Sequence, residues 1–183
     1  MFILASSSPR RRLLMQQVVS HFRVIDPGID EGDIKARDSA LPQEISKIKA
    51  YQVFKDHPED TVFACDTIVY FKGHKLGKPK NHDDAKQMLT LLSGQTHKVI
   101  SGYTLINKHI EVNKTVVTKV TFNQLSDKII DDYVASGLPL DKAGAYGIQD
   151  EQYRLVDKIE GSYANVMGLP VEDIKKLLQK LGM

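Results

Sequence analysis

The chain has 183 residues, 42% of them hydrophobic and 26% charged, which gives one domain, or two small lobes around one cleft, able to bury a real core. A formal net charge of +2 is too small for a nucleic-acid-binding face, so any anion site must be local. A single cysteine, Cys65, excludes an intrachain disulfide and a cysteine-based zinc site, and fits a reducing compartment.

In chain order, Phe2 to Ala5 reads as a short strand, followed by Ser6-Ser7-Ser8-Pro9 and a leucine-bearing amphipathic run. Ser8 is placed to cap a helix and Pro9 suits its first turn. A polar loop, Asp26 to Ala40, leads to a helix entered near Pro42 and ended before Pro58. "TVFACDTIVYF" is a buried strand by its β-branched and aromatic content. "KGHKLGKPKN" is turn-rich, and "HDDAKQMLTLLSG" is a helix with Ala85, Met88, Leu89 and Leu92 on one face, stopped at Ser93-Gly94.

Two strands follow, "THKVISGYTLIN" and "IEVNKTVVTKVTFN", joined near Asn107-Lys108 as an antiparallel pair. Ser126 caps a helix with Ile129, Ile130, Tyr133 and Val134 as its stripe, ending at Gly137. The loop "LPLDKAGAYGIQDE" precedes a strand, "YRLVDKIEG". Pro170 opens a last amphipathic helix with Ile174, Leu177, Leu178 and Leu181 inward. Interleaved helices and strands with at least one hairpin predict an α/β fold with a mixed β-sheet and flanking helices. No apolar run approaches the roughly 20 residues of a membrane span, and no signal-peptide core precedes Ser-Pro-Arg. The expectation is a soluble cytoplasmic protein.

Arg10, Arg11 and Arg12 stand where a helix start carries partial positive charge, which disfavours them. With the serine hydroxyls and the first-turn N–H groups they can frame a phosphate pocket; the alternative is a basic, solvated helix start. Asp66 lies inside an apolar, β-branched strand, where a carboxylate is costly unless paired, metal-bound or facing a cleft. Its neighbour Cys65 reads as core. Lys78 stands between Gly77 and Pro79 on a rigid turn, and Lys49 sits mid-helix. Glu31, with Asp30 and Asp33, can supply an oxygen ligand to a divalent cation or form a solvated turn.

In "DKAGAYGIQ", Tyr146 offers a stacking face and Gln149 carries both an acceptor and a donor. One glutamine amide matches the imide edge of uracil or thymine, and can also pair adenine. Asp141-Lys142 reads as a structural ion pair. The six histidines lack metal-ligand spacing, and no nucleophile elbow is present.

Together "LASSSPRR", the lysine-alanine of "SKIKA", "CDTIV", "GKP", "LSGQTHKVISG", "LDKAGAYGIQ" and "NVMGLP" resemble the Maf family of nucleoside triphosphate pyrophosphatases, in the family's order and over nearly the whole chain. The resemblance implies one Maf-like domain over 1–183, with two lobes around a central cleft. It also implies hydrolysis of a nucleoside triphosphate to the monophosphate and pyrophosphate with Mg²⁺ or Mn²⁺. By the same resemblance Asp66 accepts the proton of water. Ser6, Arg10, Lys49 and Lys78 hold the triphosphate, and Glu31 joins Asp66 at the metal. Base choice falls to Arg11, Thr67 and Gln149, whose identities resemble the dTTP/UTP branch, with modified pyrimidine nucleotides as further substrates. Arg12 is left to solvent. The resemblance also suggests a homodimer, with no nucleic-acid or membrane partner. The alternative is a nucleotide-binding regulator of septum formation and cell division.

Overall fold

The computed structural model describes residues 1–30 and 39–183. The described chain opens with β1 (Phe2–Ala5), α1 (Pro9–Met15) and β2 (Arg23–Ile25). Next come α2 (Leu41–Phe54), β3 (Thr61–Phe71), β4 (His74–Leu76) and α3 (His82–Leu92). The long strands β5 (Thr96–Ile106) and β6 (Glu111–Phe122) precede α4 (Asp127–Ala135), three short 3-10 turns and β7 (Val156–Glu160). The chain ends in α5 (Tyr163–Met167) and α6 (Val171–Leu181).

Among the described residues seven strands form one sheet in the order β2-β1-β3-β5-β6-β7, with β4 paired to β3. β1 runs parallel to both β2 and β3, whereas β4 on β3 and β7 on β6 are antiparallel. β5 and β6 are sheet neighbours joined by a turn in which the Asn107 N–H donates to the Ile110 carbonyl. A connection that short permits only a hairpin. The sheet is therefore mixed, as its sequence pattern predicts. β4 and α5 escape that pattern because three and five residues are too few to carry a period.

The chain divides into two compact units: residues 1–67, 100–116 and 168–183 form the first, and 68–99 with 117–167 the second. In the first, Ile3, Ala5, Val62 and Ala64 of the parallel strands pack with Ala50 and Val53 of α2 and Ile106 of β5. The α2 backbone lies directly on β5 at Gly102, where a Cβ would stand 2.3 Å from the Gln43 nitrogen. Any larger residue would lift the helix that carries Lys49. Tyr103 holds α6 through its hydroxyl, which donates to Asp173 at 2.5 Å. In the second unit Leu89 and Leu92 of α3 and Ile130 and Tyr133 of α4 close over Val69, Val99, Val120 and Phe122. The predicted helical stripes are the buried ones, except that Met88, Ile129 and Leu181 are only partly covered.

No helix among the described residues is long and apolar enough to cross a membrane.

Candidate active site

The first unit gathers most of the predicted residues. The Ser6 N–H donates to the carbonyls of Leu4 and Ile25, and its hydroxyl accepts the Ser8 N–H at 3.2 Å. Ser6 is buried there, at the end of β1. Ser8 caps α1, its hydroxyl accepting the Arg11 N–H at 3.4 Å, and Pro9 occupies the first turn, as expected. Cap and proline thus fix the direction in which the arginines leave the helix. Arg10 and Arg11 are half-buried and Arg12 is exposed, and the Arg11 guanidinium reaches Gly168 and Asp66 inside the unit.

Asp66, in mid-β3, is 6% exposed, and Lys49, from α2, is equally buried. The Lys49 Nζ stands 3.0 Å from Asp66 Oδ1, and a guanidinium nitrogen of Arg11 stands 3.8 Å from the same oxygen. A carboxylate so deep persists as an ion only with such partners. Among the described residues both contacts fall on Oδ1, which leaves Oδ2 to meet an incoming group. Among the described residues two cations face this one carboxylate, an arrangement that favours an anionic ligand. Cys65, beside it, is fully buried, and burial pushes its thiol up to about 11, so it is core rather than nucleophile.

One backbone atom joins this group to Thr67. The Gly168 carbonyl accepts the Arg11 Nε–H at 3.0 Å and the Thr67 hydroxyl at 3.3 Å. Thr67 also shares a 2.8 Å hydrogen bond with the Ser101 hydroxyl. Ser101 and Gly168 were given no role by sequence reasoning. Both stand inside quoted motifs, "LSGQTHKVISG" and "NVMGLP", and that was their one signal.

Lys78 and Gln149 belong to the second unit, and both are exposed. The turn of Lys78 is tied down where the Gly144 N–H donates to the Gly77 carbonyl at 3.0 Å. Gly144 lies at φ +69, and a Cβ there would press on Val69 at 3.0 Å, so glycine is required. The turn of Gln149 rests on a buried cluster. The Tyr133 hydroxyl donates to Asp150 at 2.6 Å and accepts the Gly147 N–H at 3.0 Å. Lys142 pairs with Asp141 at 2.9 Å and stands 3.8 Å from Asp150. The Asp141-Lys142 pair is structural, as expected. Tyr146 is a correction: it is buried, hydrogen-bonded to His97 at 2.7 Å and packed edge-on against Phe122. It is core and offers no stacking face to a base.

Among the described residues no group of three or more His, Cys, Asp and Glu side chains is gathered for a metal ion. Magnesium, however, is commonly held by one or two carboxylates together with phosphate oxygens and waters. The open oxygen of Asp66 fits a cation that arrives with a triphosphate. Glu31, the other expected ligand, lies outside the described residues.

Fold and site together define a mixed-sheet α/β protein with a buried, cation-framed carboxylate. The sequence model described as Maf-like protein matches residues 1–181. A relative from Thermococcus onnurineus is 41% identical over 97% of this chain and 96% of its own. One from Clostridium tetani is 42% identical over 100% and 98%, and one from Pyrococcus furiosus is 43% identical over 97% and 93%. All three are named dTTP/UTP pyrophosphatase. The solved structure of the Staphylococcus aureus Ham1 protein has the same fold, with a TM-score of 0.59 at 12% identity over 98% of both chains. The chain belongs to the Maf family.

Proposed function

We propose that the chain is one Maf-like domain over residues 1–183 that hydrolyses dTTP and UTP, and modified pyrimidine triphosphates, to the monophosphate and pyrophosphate. The observation that carries this reading is Asp66, buried in β3 with Lys49 at 3.0 Å and Arg11 at 3.8 Å. The names of the full-length relatives support the choice of substrate.

In the reaction the oxygen of water bonds to phosphorus, the P–O bond of the α–β anhydride breaks, and pyrophosphate leaves with the bonding electrons. Asp66 accepts the proton of that water. Lys49 and Arg11 hold its carboxylate in register, and their surplus charge offsets the triphosphate, whose negative charge otherwise repels a nucleophile. Ser6, Arg10 and Lys78 complete the triphosphate grip. Asp66 and Glu31 would hold Mg²⁺ or Mn²⁺, which when bound supplies charge neutralisation and a more acidic water. Arg11, Thr67 and Gln149 read the base, with the Gln149 amide matched to an imide edge.

A free nucleotide, rather than a nucleic acid, suits the net charge of +2. A cytoplasmic location suits the one free cysteine, which is buried. A homodimer rests on the family resemblance alone, and sizing in solution tests it. The test of the activity is pyrophosphate release from UTP, dTTP, CTP, ATP and GTP with Mg²⁺ or Mn²⁺, and with chelator as control. Selective, metal-dependent turnover of UTP and dTTP is the expected result. Turnover of purines alone would overturn the base assignment, and binding of all five without turnover would overturn the enzyme.

A further inference from the structure

We propose that Ser101 is a positioning residue that fixes the direction of the Thr67 hydroxyl, so that Thr67 meets the base as an acceptor and selects one bearing N–H. The proposal rests on the reading that Thr67 faces the base.

The argument is one of protons. Thr67 has a single hydroxyl proton and two near partners: the Gly168 carbonyl at 3.3 Å and the Ser101 hydroxyl at 2.8 Å. The carbonyl can only accept. Ser101 is fully buried, and among the described residues Thr67 is the hydrogen-bond partner of its side chain. If Thr67 donated to Ser101, the serine proton would be left buried with no acceptor, whereas the Gly168 carbonyl would keep the Arg11 Nε–H at 3.0 Å and the Cys65 thiol at 3.6 Å. Unmade hydrogen bonds of buried groups are the costly ones. The serine is satisfied in one arrangement: Ser101 donates to Thr67, which leaves the Thr67 proton to the Gly168 carbonyl.

Gly168 is anchored in turn, because its carbonyl also accepts the Arg11 Nε–H at 3.0 Å. The relay therefore runs from a buried serine through Thr67 to a carbonyl shared with Arg11. Thr67 is left with one lone pair and no proton to offer. Thr67 is only half-buried, so that lone pair can meet a ligand. Uracil and thymine carry N–H at N3, whereas cytosine carries a lone pair there. Two acceptors repel, and a site built for a donor rejects an analogue that lacks it.

The experiment compares kcat/KM for UTP and CTP in the wild type, Ser101→Ala, Ser101→Thr and Thr67→Val. Loss of the serine donor leaves the Thr67 hydroxyl held by the Gly168 carbonyl alone at 3.3 Å, a carbonyl that Arg11 also serves, so the unpinned hydroxyl can rotate its proton toward the base. Ser101→Ala is expected to lower the UTP-to-CTP ratio by about three- to tenfold, the factor carried by one hydrogen bond, and Ser101→Thr to restore it. An equal loss on both substrates would mark Ser101 as merely structural and overturn the proposal. Thr67→Val separates the two readings. If it moves the ratio and Ser101→Ala does not, only the relay is wrong. If Thr67→Val leaves the ratio unchanged, the base-reading role of Thr67 fails and the relay falls with it. Should Ser101→Ala fold poorly, Ser101→Cys fills the space with a weak donor and is expected to give the same drop. Where CTP turnover is too slow to follow, affinities for UTP and CTP in the Asp66→Asn background give the same ratio.

Discussion

Two carboxylates among the described residues, Asp66 buried and Asp150 half-buried, each stand beside a lysine, and they are opposites. Asp66 has Lys49 and Arg11 around one oxygen, two cations for one anion. Asp150 shares a single Lys142 with Asp141 and takes a tyrosine hydroxyl at 2.6 Å, two anions for one cation. Among the described residues the first cluster has more cations than anions, an excess that a substrate anion can offset. The second has no such surplus, and its bonds tie Tyr133 to the backbone of Gly147, two residues before Gln149. A buried acid with a lysine is therefore not by itself a catalytic sign; the sign of the local surplus is what separates chemistry from scaffold.

The largest effect expected from that contrast is on turnover. Asp66→Asn keeps the shape and removes the proposed proton acceptor, so kcat is expected to fall by about 10²- to 10⁴-fold, the usual share of a general base. Nucleotide binding, followed by calorimetry, persists. Asp150→Asn lies in the closed cluster and leaves kcat within a few-fold. If the two variants lost turnover equally, the contrast would break.

Stability sharpens it next. Lys49→Met leaves the Asp66 charge buried with Arg11 at 3.8 Å, and removal of one partner from a buried pair costs about 3–5 kcal/mol. Urea unfolding reads this directly. Tyr133→Phe removes a hydroxyl that serves Asp150 and Gly147 together, at about 2 kcal/mol. Its kinetic mark is a raised KM for UTP with kcat kept, because the turn of Gln149 loosens while Asp66 is untouched.

Between those two in size stands His97, in the second unit. Burial pushes its imidazole down to about 4, while in the unfolded chain it titrates near 6.5. From about pH 6.5 down to 4 the unfolded state holds more protons, so stability falls as pH falls. It is complete above that window and loses nothing further below it. The loss is on the order of 3 kcal/mol. Tm measured from pH 7.5 to 4 falls more steeply in the wild type than in His97→Gln; parallel curves would remove His97 from the account.

What the sequence made legible follows from the range of the forces involved. β1, β3 and the helices α1 to α4 and α6 were readable because caps, prolines and apolar periods act within a few residues. Asp66 stood out because a charge inside an apolar run must be explained locally. Ser101 and Gly168 did not, because their meaning lies in contacts to Thr67 across 34 and 101 residues, and a backbone carbonyl carries no letter. Asp150 carried no signal of its own, because its partner Tyr133 stands 17 residues back. Tyr146 misled for the same reason, since its burial against His97 and Phe122 is a tertiary fact.

The smallest effect belongs to the arginines at the start of α1, which carry the contrast down to neighbouring residues. Arg11 reaches the Gly168 carbonyl and Asp66, whereas Arg12, one position on, is exposed. Along a helix successive side chains diverge by about 100°, so Arg12 leaves the helix in a different direction from Arg11. Arg12→Ala is expected to shift stability by less than about 0.5 kcal/mol and to leave UTP turnover within about twofold. Arg11→Ala, by contrast, strips both the shared carbonyl and the Asp66 carboxylate of a partner and lowers turnover by at least about tenfold. If the two substitutions proved equal in steady-state kinetics, the first turn would act as a diffuse basic patch, and the surplus charge assigned to Asp66 would belong to the helix as a whole.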